Sequence, residues 1–268
     1  MINQHWRCGG VRQSGNESIP AHSAGRYREF SPTAELRPHF LCAWNHEGIG
    51  ELAAPVAVFP DGCIDILWSE GKLTIAGPDT APHIVDGSLA NIVGIRFAPG
   101  AASKWLGIPM SELVNQRVDV SELWGARAEA LAERLVAAKT IGDATERLQS
   151  ALSDIAPSIA SPDRAMVAAF DTLKRSKDIV AIAELATMLN VSERTLRRQF
   201  LHNFGYGPKT LERILRFQKF LKLGRRDPGS GIGALAFDAN YADQAHLSRE
   251  AKSLSGLSPS ALLQHLAA

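Results

Sequence analysis

The C-terminal third of the chain contains the same pattern twice, in residues 182–200 and again in residues 232–249. Each copy has a short segment with helical apolar spacing, a tight turn, and a second segment that opens on a residue able to cap a helix. This order predicts a helix-turn-helix motif. The second helix of such a motif enters the major groove of DNA. Two motifs in one chain therefore predict a protein that reads two adjacent segments of the groove.

Charge is distributed unevenly along the 268 residues, although the net formal charge is only +1. Residues 164–268 carry 16 lysine and arginine residues against 9 aspartate and glutamate residues, whereas residues 1–163 carry 13 against 19. Only the basic part is suited to neutralising DNA phosphates. A chain of this length accommodates about two domains, and the change in the sign of the charge indicates their boundary.

The cysteines and the hydropathy exclude several classes of protein. Cys8, Cys42 and Cys63 lie in the N-terminal half without the spacing of a metal site or of a disulfide framework. No apolar run approaches the ~18 residues needed to span a bilayer, and the first residues lack the order of a signal peptide. We therefore expect a cytoplasmic protein that needs no metal and no cofactor.

The two halves of the chain differ in the spacing of their apolar residues. Short apolar runs separated by turn-forming residues occur at 40–44, 55–59, 63–68, 73–76 and 92–97. They predict the strands of an antiparallel barrel or sandwich. After residue 100 the apolar spacing becomes helical, most clearly in residues 126–138 and 143–155. The predicted fold class is α+β, with an N-terminal antiparallel β-barrel-like domain, then helices, then an all-α domain with two helix-turn-helix motifs.

The domain boundary is predicted from composition. Residues 156–162 have the proline, serine and alanine content of a linker and coincide with the change in charge. We expect a poorly ordered lead-in of residues 1–25, because this segment is polar and rich in glycine. The remaining divisions are an effector or oligomerisation domain of residues 26–156, a linker of residues 157–163, and a DNA-binding domain of residues 164–268.

The predicted reading helices present polar side chains to solvent. Ser192 is a good N-cap, and Leu196 and Phe200 share one helix face, which leaves the neighbouring arginines exposed. Arginine suits bidentate contact with guanine, although exposed arginines can also be merely solvated. In the second motif Asp243 is the predicted cap, and we expect His246 to be a polar contact rather than a metal ligand. The predicted DNA contacts are Ser192, Arg194, Thr195, Arg197, Arg198, Gln244, His246, Ser248 and Arg249.

Several short motifs define a resemblance in the C-terminal part. They are Ile182-Ala183-x-x-Ala186, Ser192-x-Arg194-x-Leu196-x-Arg198-x-Phe200, Phe204-Gly205-x-Gly207-Pro208, the stretch 236–249, and Gly256-Leu257-Ser258-Pro259-Ser260. With these motifs, the segment from about residue 163 to the end resembles the DNA-binding domain of AraC/XylS-type transcription regulators. The resemblance implies a seven-helix module that binds DNA as a bipartite reader. It places the family's contact positions on Arg194, Arg197, Arg198, Gln244, His246 and Arg249.

The chain departs from this family pattern at one place. Where the family usually has an aromatic residue after the second reading-helix arginine, this chain has Glu250-Ala251-Lys252. We therefore expect weaker packing there and a negative charge near the DNA phosphates.

The N-terminal half shows a second, less specific resemblance. Residues 59–68, 76–78 and 94–100 resemble segments of the cupin-like effector domains that precede this DNA-binding module in one-component regulators. The resemblance implies a small cupin-like barrel that holds a ligand against aromatic surface. The effector-binding candidates are Trp44, Asp61, Asp65, Trp68 and His83. Trp68 could instead belong to the core, and Asp61 could instead form a turn.

A metal set of three histidines is an alternative for this domain. His39, His46 and His83 are the available imidazoles, but the sequence has no His-x-His pair among them and no evenly placed carboxylate. We therefore expect no metal site.

Two classes of function remain open. The first is a ligand-responsive transcription regulator without enzymatic activity, whose partners are double-stranded DNA, a small-molecule effector, a second copy bound through the helix of residues 143–155, and RNA polymerase as a further candidate. The second is a DNA-repair-type regulator or an enzyme whose N-terminal domain accepts a methyl group on Cys63. The sequence disfavours the second class, because Cys63 lies in an apolar run with no adjacent base or cation.

Overall fold

The N-terminal part of the chain is a layered β structure. The computed structural model describes residues 19–20, 25–48, 50–51, 56–85, 88–176 and 179–267. Its strands are β1 (Ile19–Pro20), β2 (Gly25–Phe30), β3 (Phe40–Gly48), β4 (Gly50–Glu51), β5 (Val56–Val58), β6 (Asp65–Ser69), β7 (Lys72–Ala76), β8 (His83–Val85), β9 (Ser88–Leu89), β10 (Ile92–Phe97) and β11 (Arg117–Asp119). The largest sheet has the order β11-β7-β6-β10-β3-β2, and two smaller sheets have the orders β1-β5-β8 and β4-β9.

Helices form the rest of the described chain. Those of the N-terminal domain are α1 (Ala102–Leu106), α2 (Ser121–Trp124), α3 (Ala126–Val136) and α4 (Ile141–Ile155), with a 3₁₀ turn at Met110–Glu112. The helical domain that follows contains α5 (Arg164–Arg175), α6 (Ile182–Met188), α7 (Glu193–Phe204), α8 (Pro208–Arg226), α9 (Ile232–Asp238), α10 (Gln244–Ser255) and α11 (Pro259–Ala267). None of the helices in the described part of the chain combines the length and apolar character needed to cross a bilayer.

These elements confirm the predicted α+β architecture, with corrections at the N-terminus. Within the predicted lead-in of residues 1–25, Ile19 and Pro20 pair in parallel with β5, and Gly25 begins β2. Residues 1–18 and 21–24 lie outside the described residues. The strands β1, β2, β4, β8, β9 and β11 were not predicted, because their apolar residues are too few to produce a periodic signal.

The long helix α4 covers one face of the six-stranded sheet. Its residues Leu148 and Leu152 are fully buried in the core of the N-terminal domain. The side-chain amide of Asn45 on β3 donates a hydrogen bond of 3.0 Å to the hydroxyl of Thr145 on α4. The apolar stripe of this helix is therefore used within the chain. The predicted dimer contact at residues 143–155 would have to use the exposed side of the helix, which carries Glu146, Ser150 and Asp154.

One loop of the N-terminal domain enters the core of the helical domain. Ala57 and Phe59 are both 2% exposed and belong to the hydrophobic cluster formed by α5–α11. The Phe59 ring meets the ring of Phe217 edge-on, with a centroid distance of 5.8 Å. The side-chain amide of Gln218 donates a buried hydrogen bond of 2.7 Å to the carbonyl of Pro60. We call residues 57–63 the joint loop.

A second contact between the domains lies at the C-terminal end of α7. The buried Ser103 hydroxyl on α1 donates to Asn203 Oδ1 over 3.1 Å. Gly205 ends α7 with a φ of +86°, and a Cβ added there would lie 2.6 Å from Pro78 Cγ and 2.9 Å from the Met110 carbonyl oxygen. Glycine is therefore needed at this position for both its backbone conformation and the close approach of the N-terminal domain.

Buried charges anchor the joint loop to the large sheet. Arg96 on β10 is 1% exposed. It donates two hydrogen bonds to the Asp65 carboxylate, of 3.0 and 2.9 Å. Its Nη2 atom also lies 3.4 Å from Asp61 Oδ2, and Asp61 Oδ1 accepts a bond of 2.9 Å from the Cys63 amide. Burial raises the pKa of Asp65, and Arg96 acts in the opposite direction. We call Asp61, Asp65 and Arg96 the charge cluster.

We expect Phe59→Ala to lower the free energy of unfolding by about 3–5 kcal/mol, because it empties a close-packed position inside the helical domain. The matched control is Phe30→Ala on β2, where the phenylalanine is 38% exposed. Urea titration followed by circular dichroism measures both variants. Equal losses in the two variants would contradict the assignment of Phe59 to the core.

We expect Asp65→Asn to destabilise the protein by about 3–5 kcal/mol, because it breaks a buried ion pair and leaves the Arg96 charge poorly compensated. The matched control is Asp154→Asn, which breaks an ion pair to Arg134 in which the Asp154 side chain is 67% exposed. Exposed pairs contribute about 0–1 kcal/mol. Thermal melting of both variants makes the comparison, and a control as destabilised as Asp65→Asn would refute the expectation.

Candidate functional site

The first reading helix begins where the sequence predicts it. The hydroxyl oxygen of Ser192 accepts a hydrogen bond of 3.2 Å from the Thr195 amide, which confirms the predicted N-cap. The Ser192 and Thr195 hydroxyls are also 3.0 Å apart. Leu196 and Phe200 are fully buried in the helical domain. The cap and the two buried residues fix both the start of α7 and its rotation about its axis.

This rotation exposes three arginines on α7. Arg194, Arg197 and Arg198 are all exposed. None of the ion pairs found among the described residues involves them. Uncompensated guanidinium groups at the N-terminal half of a reading helix are suited to base edges and phosphates.

The second reading helix repeats the arrangement with fewer charges. Asp243 caps α10, and its Oδ1 accepts a hydrogen bond of 2.6 Å from the His246 amide, as predicted. Leu247 is fully buried, whereas Gln244 and Arg249 are exposed. The Ser248 hydroxyl is bonded to the Gln244 carbonyl over 2.8 Å, so part of its hydrogen-bonding capacity is used within the helix.

Glu250 bears on one expectation about this helix. The residue is 7% exposed, and its carboxylate accepts a 2.8 Å hydrogen bond from Arg213 Nε on α8. His246 Nε2 lies 3.5 Å from the same carboxylate oxygen, and the His246 ring meets the edge of Tyr241 at 5.3 Å. The Glu250 charge is therefore paired with Arg213 and is not presented on the exposed face of α10. The carboxylate faces the interior, where it joins α10 to α8.

The turns of the two motifs have the same backbone geometry. Asn190 and Asn240 adopt positive φ angles of 53° and 66°. The backbone amide of the residue after each asparagine donates a hydrogen bond to the carbonyl oxygen five residues earlier. Val191 donates to Ala186, and Tyr241 donates to Ala236. Asparagine tolerates this left-handed conformation better than most residues. The two asparagines stand at equivalent positions in the two motifs, and this signal in the sequence could have located both turns.

Helix α8 holds the second turn in place through residues that none of the sequence motifs marked. The ammonium group of Lys219 donates a 2.7 Å hydrogen bond to Asn240 Oδ1. The Arg216 guanidinium lies 5.4 Å from the centre of the Tyr241 ring. These contacts, with the Arg213–Glu250 pair, position the second motif relative to α8.

The strand register divides the predicted effector residues between two faces of the large sheet. Trp44 is opposite Gly94, and Asp65 is opposite Arg96, on one face. Residues directly opposite each other share a face. Trp68 is opposite Val93 and therefore lies on the other face, where it packs against the core of the N-terminal domain. The structure thus groups Trp44, Asp61 and Asp65 around Arg96 and separates Trp68 from them.

Trp44 lies flat over the sheet. A Cβ added at Gly94 would overlap the Trp44 indole, so this ring occupies the space that a side chain would fill. Its ring centroid is 5.5 Å from that of Tyr27, whose hydroxyl donates to Glu29 over 2.9 Å. Trp44 is 8% exposed. The face around Trp44 and the charge cluster combines an aromatic surface with carboxylates.

The three histidines of the alternative metal set are not brought together. His39 meets the edge of Trp105 at 5.4 Å, on the side of the helices. His46 pairs with Tyr27 across β2 and β3. Burial, then the neighbouring Arg117, lowers the pKa of His83 on β8, and Asp79 acts in the opposite direction. Among the described residues no three histidine, cysteine or acidic side chains are grouped as metal ligands.

A small cleft lies between the two domains beside the joint loop. It encloses about 20 Å³, which is room for about one water molecule. Its wall includes Cys63 from the joint loop together with Phe170 from α5 and Asn203 and Phe204 from α7. The N-terminal domain thus touches the reading helix of the first motif at its C-terminal end.

Two family models match separate parts of the chain. Residues 28–119 match a family described as a Domain of unknown function (DUF6597). Residues 185–265 match a family described as a Helix-turn-helix domain, HTH_18. A comparison with curated protein sequences returned no match.

Solved structures of ToxT from Vibrio cholerae are similar to the chain over nearly its whole length. ToxT from strain O395 has a TM-score of 0.45 at 13% sequence identity, and the alignment covers 97% of this chain and 97% of that chain. ToxT from strain SCE256 with a bound unsaturated fatty acid has a TM-score of 0.43 at 12% identity, covering 98% and 96%.

The identity of the helical domain follows from its sequence motifs, its seven described helices, its two capped reading helices and the family model that matches it. Residues 185–265 thus form a helix-turn-helix domain that resembles those of AraC/XylS-type regulators, and residues 28–119 form a DUF6597 domain.

Proposed function

We propose that this regulator binds a bipartite DNA site with α7 and α10 in adjacent segments of the major groove. The observation that carries the proposal is the exposure of Arg194, Arg197 and Arg198 on a helix whose rotation is fixed by Ser192 and by its buried residues. Gln244 and Arg249 supply the equivalent contacts from α10, and His246 adds a polar contact. Ser192, Thr195 and Ser248 contribute hydroxyl groups near the phosphates.

We further propose that the N-terminal domain adjusts DNA binding in response to a small molecule. The proposed site is the sheet face around Trp44, Asp61 and Asp65, with His83 of β8 as a further candidate. Trp68 is left out because it lies on the opposite face of the sheet. Support comes from the charge cluster, which joins this face to the joint loop. A ligand can act only if it favours one arrangement of the domains over another.

The proposal includes a homodimer that acts with RNA polymerase and carries out no enzymatic reaction. Since the apolar stripe of α4 packs within the N-terminal domain, a second copy would contact the exposed side of this helix or another surface. Native mass spectrometry of the purified full-length chain tests two parts of this proposal at once, because it reports both the number of chains and the mass of any small molecule that remains bound. A monomer without a bound molecule would contradict both parts.

We expect Arg194→Ala and Arg197→Ala each to relax base preference in one half of the DNA site, at a cost of about 1–3 kcal/mol per lost bidentate contact. The measurement is a binding titration against a library with a randomised site. The matched control is Arg175→Ala, which removes an arginine of the same domain that lies on α5 and pairs with Asp171.

The pattern of the losses decides the role of each arginine. A loss that is uniform over all sequences makes the arginine a phosphate contact and rejects base reading for it. No loss at either position, with Arg175→Ala behaving in the same way, rejects α7 as a reading helix.

A further inference from the structure

Cys63 occupies a position on the joint loop that no part of DNA reading uses. It follows Gly62, is partly exposed, and lines the cleft between the domains opposite Phe170, Asn203 and Phe204. Its sulfur lies 3.8 Å from the Asp61 carbonyl oxygen. A nucleophilic atom therefore lies where the N-terminal domain meets both α5 and the reading helix α7.

A buried hydroxyl beside this loop lacks a partner. Tyr206 is 5% exposed, and its hydroxyl forms no hydrogen bond with the described residues. This oxygen would lie 3.7 Å from a Cβ built on Gly62. Burial raises the pKa of Tyr206, and the neighbouring Asp61 and Cys63 raise it further, so this hydroxyl remains protonated and able to donate. An unused buried donor is costly unless something at the site accepts its hydrogen bond.

Lys174 on α5 interacts electrostatically with Cys63. Burial lowers the pKa of this lysine, while Cys63 acts in the opposite direction. An ammonium group near a thiol favours the thiolate, which is the nucleophilic form. The sequence shows no cation beside Cys63, because Lys174 is distant from it in the chain and interacts with it only in the folded protein.

The cleft beside Cys63 is small. A Cβ on Gly62, whose φ is +80°, would lie 3.3 Å from Leu211 Cδ1, and the cleft encloses only about 20 Å³. A substituent of several heavy atoms on the Cys63 sulfur that enters the cleft must therefore displace Phe170 of α5 or Phe204 of α7, which line it. Close-packed interiors respond to such an insertion by moving rather than by compressing.

We propose that Cys63 is a covalent modification site for α,β-unsaturated carbonyl compounds and that the adduct separates the two domains. The thiol loses its proton to solvent, and the sulfur electron pair forms a bond to the β-carbon of the electrophile. The π electrons of the double bond move onto the α-carbon and carbonyl oxygen, and the α-carbon then takes a proton from solvent. Nothing leaves and nothing is oxidised. Tyr206 supplies the hydrogen bond to the carbonyl oxygen, and Lys174 stabilises the thiolate.

The regulatory consequence rests on the proposed function. The adduct weakens DNA binding, because α7 loses the Ser103–Asn203 bond and α8 loses the Gln218–Pro60 bond that hold these helices against the N-terminal domain.

The test uses the full-length protein and N-ethylmaleimide as the probe. Peptide mass mapping over time gives the rate of addition at each cysteine. Cys42 is an internal control, because burial raises the pKa of its thiol to about 12. We expect Cys63 to react at least tenfold faster than Cys42. We also expect Tyr206→Phe to slow addition of this carbonyl probe several-fold but to leave the rate with methyl methanethiosulfonate, which has no carbonyl group, unchanged.

Two readouts report the consequence of the adduct. Hydrogen exchange in residues 200–220 should rise on modification, and affinity for duplex DNA should fall at least fivefold. Cys63→Ser should bind DNA like the unmodified protein and abolish both effects, whereas Cys42→Ser should retain them.

Cys63 reacting no faster than Cys42, or an adduct that leaves hydrogen exchange unchanged, overturns the proposal. So does a DNA affinity that is unchanged or raised in the modified protein. Exchange is measured without DNA. If the unmodified protein does not bind DNA, the proposed function is contradicted. The hydrogen-exchange measurement still decides whether the adduct separates the two domains.

Discussion

The insertion of the joint loop into the helical domain is the interaction on which the arrangement of the protein depends. Phe59 packs in the apolar core of the helical domain, and the Pro60 carbonyl accepts a hydrogen bond from the Gln218 side chain. The loop can hold this position because Arg96 fixes Asp61 and Asp65 beneath it. Buried carboxylates are tolerated only when they are paired. The conformation of the sheet and the placement of the helical domain are thus physically linked.

The two helix-turn-helix motifs share a turn geometry but differ in what supports them. The first touches the N-terminal domain through Asn203 and Gly205 at the end of its reading helix. The second is attached to α8 through the Arg213–Glu250 ion pair and the Lys219–Asn240 hydrogen bond. A displacement of the N-terminal domain therefore acts first on the first motif and on α8. The second motif follows only through α8, so the two halves of a DNA site need not respond equally.

Local signals made much of the helical domain predictable. The caps Ser192 and Asp243 fix the start of both reading helices. Long-range pairing could not be predicted. Glu250 meets Arg213, and Phe59 meets Phe217, only after folding brings distant segments together. One error was avoidable. Side chains alternate along a strand, so Asp65 and Trp68, three positions apart, cannot share a face of β6.

The contacts of the joint loop have free energies comparable to those that a bound ligand can supply. Burial of one phenylalanine at such a position contributes about 3–5 kcal/mol, and a hydrogen bond such as that from Gln218 adds about 0.5–1.5 kcal/mol. Converting an equilibrium from 1:99 to 99:1 requires about 5.5 kcal/mol of differential binding. A single ligand or covalent group that acts on the joint loop can therefore supply enough free energy to change the domain arrangement. A larger and wholly apolar interface would resist it. The contact between the domains also includes polar contacts at Pro60 and Ser103, which can exchange for hydrogen bonds to water when the domains separate.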